Sequence, residues 1–299
     1  MTLQRKRNQF QSNGGHPLHL LKKSLKFIPL IALAFLVWWV LWFMVIGSLM
    51  SLEELRWTIG PALYGGDRQA TWPLLPAFPT LQPLVRLLLD TPHFFVMFWN
   101  TFRLVIPSIL GQLLVGAPAA WALSRFRFRG RKLLTTVYIS LMLLPFQVTM
   151  VPNFLVIDRL GMMNSIWAVI LPFAFSAFPV FIMLKGFDAV PRALLEAASI
   201  DGAGPVRTFV SIGLPLGTPS ILAALVLGFL EVWGAIEQPM TFLNDPATFP
   251  LSLFLPQIVA EELGLAMAAS LLMLLPAALF FFFGQKYLEL GIQAAGVKE

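Results

Sequence analysis

The chain has 299 residues, 58% of them hydrophobic and only 12% charged, with a formal net charge of +6 and a mean hydropathy of +0.77. An ordinary soluble domain cannot keep that much apolar surface out of water, so the chain reads as a membrane protein. Cysteine is absent, which excludes thiol catalysis, disulfides and cysteine-based metal sites.

In chain order, residues 1–26 form a polar N-terminal tail, expected to be mobile, that holds Arg5, Lys6, Arg7, Lys22, Lys23 and Lys26. Its charge reads as topogenic rather than as a nucleic-acid site. A hydrocarbon core roughly 30 Å thick takes about 20 apolar residues per helical crossing. Six runs meet that length, at about 27–50, 100–124, 133–157, 165–184, 212–235 and 265–285. The first is too long for a signal sequence and no A-x-A-like site closes it, so a retained helix is expected.

Residues 51–99 form an external segment in which Pro61, Pro73, Pro76, Pro79, Pro83 and Pro92 lie among Trp57, Trp72 and Trp99. Rings of that kind suit the membrane interface, with partner binding as the alternative. Residues 100–286 make the core transmembrane domain, with a cytoplasmic loop at 185–211, and 287–299 a cytoplasmic tail. Pro107, Pro118, Pro145 and Pro152 fall inside the second and third runs and predict kinks, which neighbouring helices can tolerate by satisfying the freed carbonyls.

Orientation follows the basic residues. The tail, the cluster Arg125, Arg127, Arg129, Arg131 and Lys132, and then Lys185, Arg192, Arg207, Lys286 and Lys298 share one side if six crossings hold. Arg56, Arg68, Arg86 and Arg159 lie on the other, with Arg103 at a border. Both termini are therefore expected in the cytoplasm.

Signatures of catalysis are missing. No G-x-x-x-x-G-K-[ST] phosphate loop occurs, so ATP hydrolysis by this chain is not expected. Of the three histidines, His16, His19 and His93, only the first two are neighbours, and they give no metal site. No Ser/His/Asp set stands out, and no repeat or heptad is present.

Transport remains. Ionisable groups within spans mark pathways, and Glu231 is the one carboxylate clearly inside a run; its alternative reading is a group near the outer end reaching the interface. Transporter sites favour broken helices near mid-membrane. The third and fourth runs carry Pro145, Gln147, Thr149, Asn153, Pro172, Ser176 and Pro179, which makes Gln147, Thr149, Asn153, Ser176 and Glu231 the candidate pathway lining.

The stretch "LLEAASIDGAGPVRTFVSIGLP", residues 194–215, interrupts the apolar pattern between the fourth and fifth runs. Pro191 suits a helix start, "PRALLEAASI" favours helix, Gly202 and Gly204 can end it, and Pro205 can begin another. Leu194, Leu195, Ala197, Ala198 and Ile200 then give an apolar face outside the bilayer. That face fits a partner's groove; it fits equally a helix lying on lipid headgroups or packed beneath its own bundle.

Glu196-Ala197-Ala198, Asp201-Gly202-Ala203, and Ile212, Leu214 and Pro215 resemble the EAA loop of binding-protein-dependent ABC importer permeases. The resemblance runs from about Asn100 to Lys298 through "NTFRLVIPS", "AAWALSRFRFRGRK", "LLPFQVTMVPNFLVIDRLGMMNS" and "GVK". It is most similar to the carbohydrate-uptake branch, in particular the shorter, six-helix permease of maltose transporters.

This resemblance implies an all-α type I ABC importer permease fold with six transmembrane helices, in the bacterial inner membrane, with both termini cytoplasmic. It implies a second homologous permease, two copies of a cytoplasmic ATPase carrying the ATP and Mg, and an extracytoplasmic solute-binding protein. No cofactor belongs to this chain, and its other surroundings are membrane lipid, not nucleic acid. Glu196, Ala197, Ala198, Asp201, Gly202 and Ala203 would form the ATPase-coupling segment. A bulky residue at Gly202 is expected to clash at the turn or to demand a backbone that glycine alone tolerates freely.

The chain departs from the pattern at Trp233-Gly234, where many members have Trp-Asn, and at its "AAGVKE" end. A sugar or oligosaccharide is the implied cargo. The alternatives are glycerol-3-phosphate or a related polyol phosphate, for which only Arg103 offers a basic group toward a cavity, and an ion-coupled secondary carrier.

Overall fold

The computed structural model describes residues 27–64, 69–255 and 262–296, and the side chains of these except 63–64 and 291–296. The N-terminal tail with His16 and His19, and the end at 297–299 with Lys298, lie outside the described residues. Among the described residues every regular element is helical.

Helix α1 (Phe27–Gly47) is apolar along its length, and from Phe27 to Val40 nearly all its side chains face outward. An all-round apolar helix belongs in lipid or a protein interior. Only its end is packed, where Phe43 and Ile46 are buried and Gly47 meets Met267.

The Pro/Trp-rich segment that follows contains α2 (Leu52–Thr58), α3 (Gly60–Tyr64) and α4 (Gln82–Leu89). It is tied down by polar contacts. The Ser51 hydroxyl accepts the Glu54 N–H at 3.2 Å, the Glu54 carboxylate accepts the Ala77 N–H at 2.6 Å, and Trp42 Nε1 donates to Leu74 O at 3.0 Å.

Helix α5 (Pro92–Arg125) begins eight residues before the run read at 100, because Pro92 sits in the first turn, where its missing N–H costs nothing. Its 34 residues rise about 51 Å, well beyond a hydrocarbon core of about 30 Å. The third run is not one helix. Helices α6 (Arg131–Leu143) and α7 (Phe146–Arg159) meet at 109°. Pro145 disfavours helical backbone at Leu144, which adopts ψ 127°.

The fourth run also breaks. Helix α8 (Ile166–Ala174) contains Pro172 and stops at Phe175, and α9 (Ala177–Asp188) resumes after Ser176. Then follow α10 (Arg192–Ile200), α11 (Pro205–Thr208), a π-helical turn at Phe209–Gly213, α12 (Leu214–Trp233), α13 (Glu237–Phe242) and α14 (Leu263–Gly296). Among the described residues five helical segments are long and apolar enough to cross a membrane, or six if the bent α6–α7 pair is one span.

In the bundle α9 packs between α5 and α12, and α12 packs on α14. Lipid tails are as apolar as leucine, so association within a bilayer rests on close packing and hydrogen bonds, with small residues at the contacts. Gly217 of α12 lies against the Phe187 ring, and a Cβ at Gly213 would stand 2.8 Å from the Trp121 ring. Trp121, Met183, Phe187, Ile221 and Ala224 form a buried cluster at the end that carries α10. Leu104, Val105, Phe173, Phe229, Trp233 and Phe242 form a second cluster.

Candidate functional site

The 194–215 stretch folds as helix, turn, helix. Pro191 stands just before α10 in extended backbone (φ −61°, ψ 133°), one position earlier than a first-turn proline. The helix closes with a Schellman motif: the Gly202 N–H bonds Ser199 O at 3.1 Å and the Ala203 N–H bonds Ala198 O at 2.9 Å. That motif requires a left-handed residue, and Gly202 supplies it at φ 75°. The expected steric clash at Gly202 does not arise among the described residues, since beyond its chain neighbours none of them comes within 4 Å of where its Cβ would be.

Helix α10 is packed on one side only. Ala198 is buried and Leu195 rests on the Trp121–Phe187 cluster. Leu194, Glu196, Ala197, Asp201 and Gly202 are exposed, Ala203 is half-buried, and Ile200 and Val206 are 87% and 75% exposed. The alternative of a helix packed beneath its own bundle thus accounts for two of its side chains and leaves an apolar and acidic face open.

Where α9 ends, a polar cluster joins it to α5. The Arg125 guanidinium donates through Nη2 to Phe187 O and, at 2.8 Å, to Val190 O. It also lies 5.5 Å from the centre of the Trp121 ring. Ser124 Oγ donates to Asp188 Oδ1 at 2.8 Å, and Arg131 Nη2 donates to Ser124 O at 3.0 Å. Carbonyls at a helix C-terminus lack intrahelical partners, so a cation there is favourable.

Further along the bundle the two helix breaks enclose a cavity of about 240 Å³. Thr149 and Asn153 of α7, Ser176 at the α8–α9 break and Glu231 of α12 all line it, with Phe146, Phe175 and Gln238. An adjoining cavity of about 370 Å³ shares Phe146, Glu231 and Gln238 and adds Glu237 and the bare backbone of Gly234. Glu231 stands two residues before the end of α12, so its location near a helix end and its cavity position hold together.

Gln147 lies outside the lining of the first cavity; its Nε2 donates to Glu237 Oε1 at 2.6 Å. Gln238 Oε1 is buried without a hydrogen-bond partner among the described residues. Among the described residues no Lys or Arg lines either cavity. Arg103 is exposed on α5 and belongs to neither lining, against the expectation that it could face a cavity.

Sequence reasoning passed over three polar residues. Glu237 and Gln238 follow directly on "EVWGAI", where Gly234 ends α12, and that break was a usable signal. Gln112 of α5 is 1% exposed and donates through Nε2 to Phe173 O at 3.1 Å, bracing the α8 end beside the break. An amide within an apolar run announces no partner, and this partner is 61 residues away.

Residues 112–293 match the family model described as binding-protein-dependent transport system inner membrane component. The chain belongs to this family, and it is a multi-pass membrane transport component. It is 31% identical to the galactooligosaccharides transport system permease protein of Bacillus subtilis, over 84% of this chain and 92% of that one. Against the trehalose/maltose transport system permease protein of Thermococcus litoralis the identity is 32%, over 76% and 84% of the two chains. The fold is that of an ABC importer permease. A bacterial ABC transporter involved in import of the acidic polysaccharide alginate superposes with a TM-score of 0.76 at 21% identity, over 89% of this chain and 96% of that one.

Proposed function

We propose that the chain is the permease subunit of an ATP-driven importer of neutral oligosaccharides. It forms one side of the translocation pathway beside a second permease. Two copies of a cytoplasmic ATPase hold the ATP and Mg; one docks on the α10 face of this chain through Glu196, Ala197, Ala198, Asp201, Gly202 and Ala203, and the other on the second permease. An extracytoplasmic binding protein delivers the solute, and both termini of this chain face the cytoplasm.

The observation that carries the cargo reading is the chemistry of the joined cavities. Thr149, Asn153, Ser176 and Gln238 offer hydroxyl and amide groups, Phe146 and Phe175 offer rings, and Glu231 and Glu237 are the only ionisable side chains among the described residues that line them. A saccharide hydroxyl can donate to the unpaired Gln238 Oε1 and to the carboxylates, while sugar C–H faces stack on the rings. A phosphate or uronate would meet two carboxylates with no cation to offset them, which is costly in a low-dielectric site. The sugar permeases among its relatives support the same class.

The test uses proteoliposomes holding the chain with its partner permease, ATPases and binding protein. Uptake of galactotriose and maltotriose is compared with uptake of glycerol-3-phosphate, with and without ATP. Saccharide uptake that requires ATP is the expected result. Faster uptake of the phosphate would replace the cargo class, and uptake driven by an ion gradient without ATP would replace the transporter class.

A further inference from the structure

Between the end of α9 at Asp188 and the start of α10 at Arg192 lie only Ala189, Val190 and Pro191. Across that short link Arg125, the last residue of α5, holds both Phe187 O and Val190 O, and the neighbouring Ser124 holds the Asp188 carboxylate. The two helix ends therefore meet through side chains as well as through packing. Val190 O is one residue from Pro191, so any displacement of α10 reaches the Arg125 guanidinium almost directly.

The packing beneath is equally close. The Trp121 ring stands edge-on to the Phe187 ring at 5.3 Å, and Phe187 is fully buried against Gly217. From there α5 runs on to Leu104 and Val105, which share a buried cluster with Phe173 and Trp233 beside the cavities. A planar guanidinium can hold two carbonyls in fixed geometry, which an ammonium on a flexible stem does poorly.

We infer that Arg125 and the Ser124–Asp188 pair lock the ends of α5 and α9 into one rigid body, so that force on α10 is delivered to α5 as well as to α9. Arg125 is a positioning residue: it touches neither cavity. The inference rests on the reading of α10 as the ATPase-docking helix. Without the lock, α10 would drag α9 alone, and ATP turnover would be poorly converted into movement around the cavity.

The experiment uses the complete transporter and reads solute imported per ATP hydrolysed, at matched amounts of the chain in membranes. Arg125→Ala is expected to lower that ratio about tenfold, within the usual range of coupling energies. Arg125→Lys should recover part of it, because the charge returns without the fork. The chain has no native cysteine, so Ser124→Cys with Asp188→Cys makes a pair unique within it. Reduced, this variant lacks the Ser124–Asp188 bond and should import less solute per ATP than the unaltered chain; oxidised, the helix ends cannot part and the ratio should recover, with the oxidised Ser124→Cys single variant as control.

An unchanged ratio in Arg125→Ala, or import abolished by the cross-link, would overturn the inference. If Arg125→Ala does not accumulate in membranes, the cross-link result, obtained with Arg125 present, decides alone. Glu196→Lys separates the two readings. Normal coupling in that variant removes the docking role of α10, whereas uncoupling by Glu196→Lys with normal Arg125→Ala removes only the lock.

Discussion

The end of the bundle that carries α10 and the region around the cavities are built from the same helices in opposite ways. At the loop end, rings and glycines interlock: Trp121 touches Phe187 and Phe209, and Gly213 and Gly217 admit rings where a side chain would not fit. Around the cavities two helices are interrupted, at Leu144–Pro145 and at Phe175–Ser176, and Glu231 and Asn153 sit beside space. Close packing resists deformation and transmits it. Broken helices expose backbone and polar groups to a solute. One region is suited to carrying force and the other to yielding around cargo.

The largest expected effect tests the packed end. Gly217→Leu would drive a side chain into the Phe187 ring, which is fully buried and has nowhere to go. Overpacking of this kind costs about 1–3 kcal/mol or more. The quantity of chain recovered from membranes, and its melting temperature in detergent, should both fall. Full recovery would show that the loop end is looser than its contacts indicate.

Next come the exposed positions of the same end. Gly202→Leu places an L-residue at φ 75°, at about 1–2 kcal/mol, and Glu196→Lys reverses a charge on the open face. Both variants should accumulate near normally while uptake and binding-protein-stimulated ATP hydrolysis fall together, by about tenfold in Gly202→Leu and about thirtyfold or more in Glu196→Lys, since losing a desolvated charge contact typically costs about 2 kcal/mol or more. Normal stimulation in both would leave the loop a connector.

Smaller effects are expected at the yielding region. Asn153→Ala should leave the amount of chain unchanged and weaken the apparent uptake affinity about fivefold, the worth of one hydrogen bond of about 1 kcal/mol. A fall in membrane content instead would mean that the cavity wall is structural. The smallest effect belongs to Gln147→Ala. It removes a partially exposed contact to Glu237, and stability should shift by less than about 0.5 kcal/mol. Its affinity change, read in the same assay, should stay below that of Asn153→Ala; the reverse order would move the solute toward Glu237.

Much of this contrast is legible in the sequence, for reasons that differ by residue. The α10 segment is punctuated by Pro191, Gly202 and Pro205, each with a local backbone consequence, so its helix and turn follow from neighbours in the chain. Thr149, Asn153, Ser176 and Glu231 stand out as polar groups in apolar runs, and the fold gathers all four at one cavity. The 109° angle between α6 and α7 is less legible, because Pro145 marks a break but not its direction. Arg125 reads as one of a topogenic cluster, and only the fold brings it to carbonyls 62 and 65 residues away. The start of α5 at Pro92 was obscured because the helix continues well past the apolar window that reveals it.

The turn at Gly202 is a question of handedness rather than size. With none of the described residues beyond its chain neighbours near its missing Cβ, the position rejects L-residues because their mirror-image backbone preference is wrong there. A D-alanine would adopt φ 75° willingly, its methyl standing where the other α-hydrogen of the glycine points. Were L- and D-alanine introduced in turn by semisynthesis, uptake kept by the D form and lost by the L form would report the backbone's handedness alone. Chirality thus separates what the turn demands of its own backbone from what a docked neighbour demands of its surface.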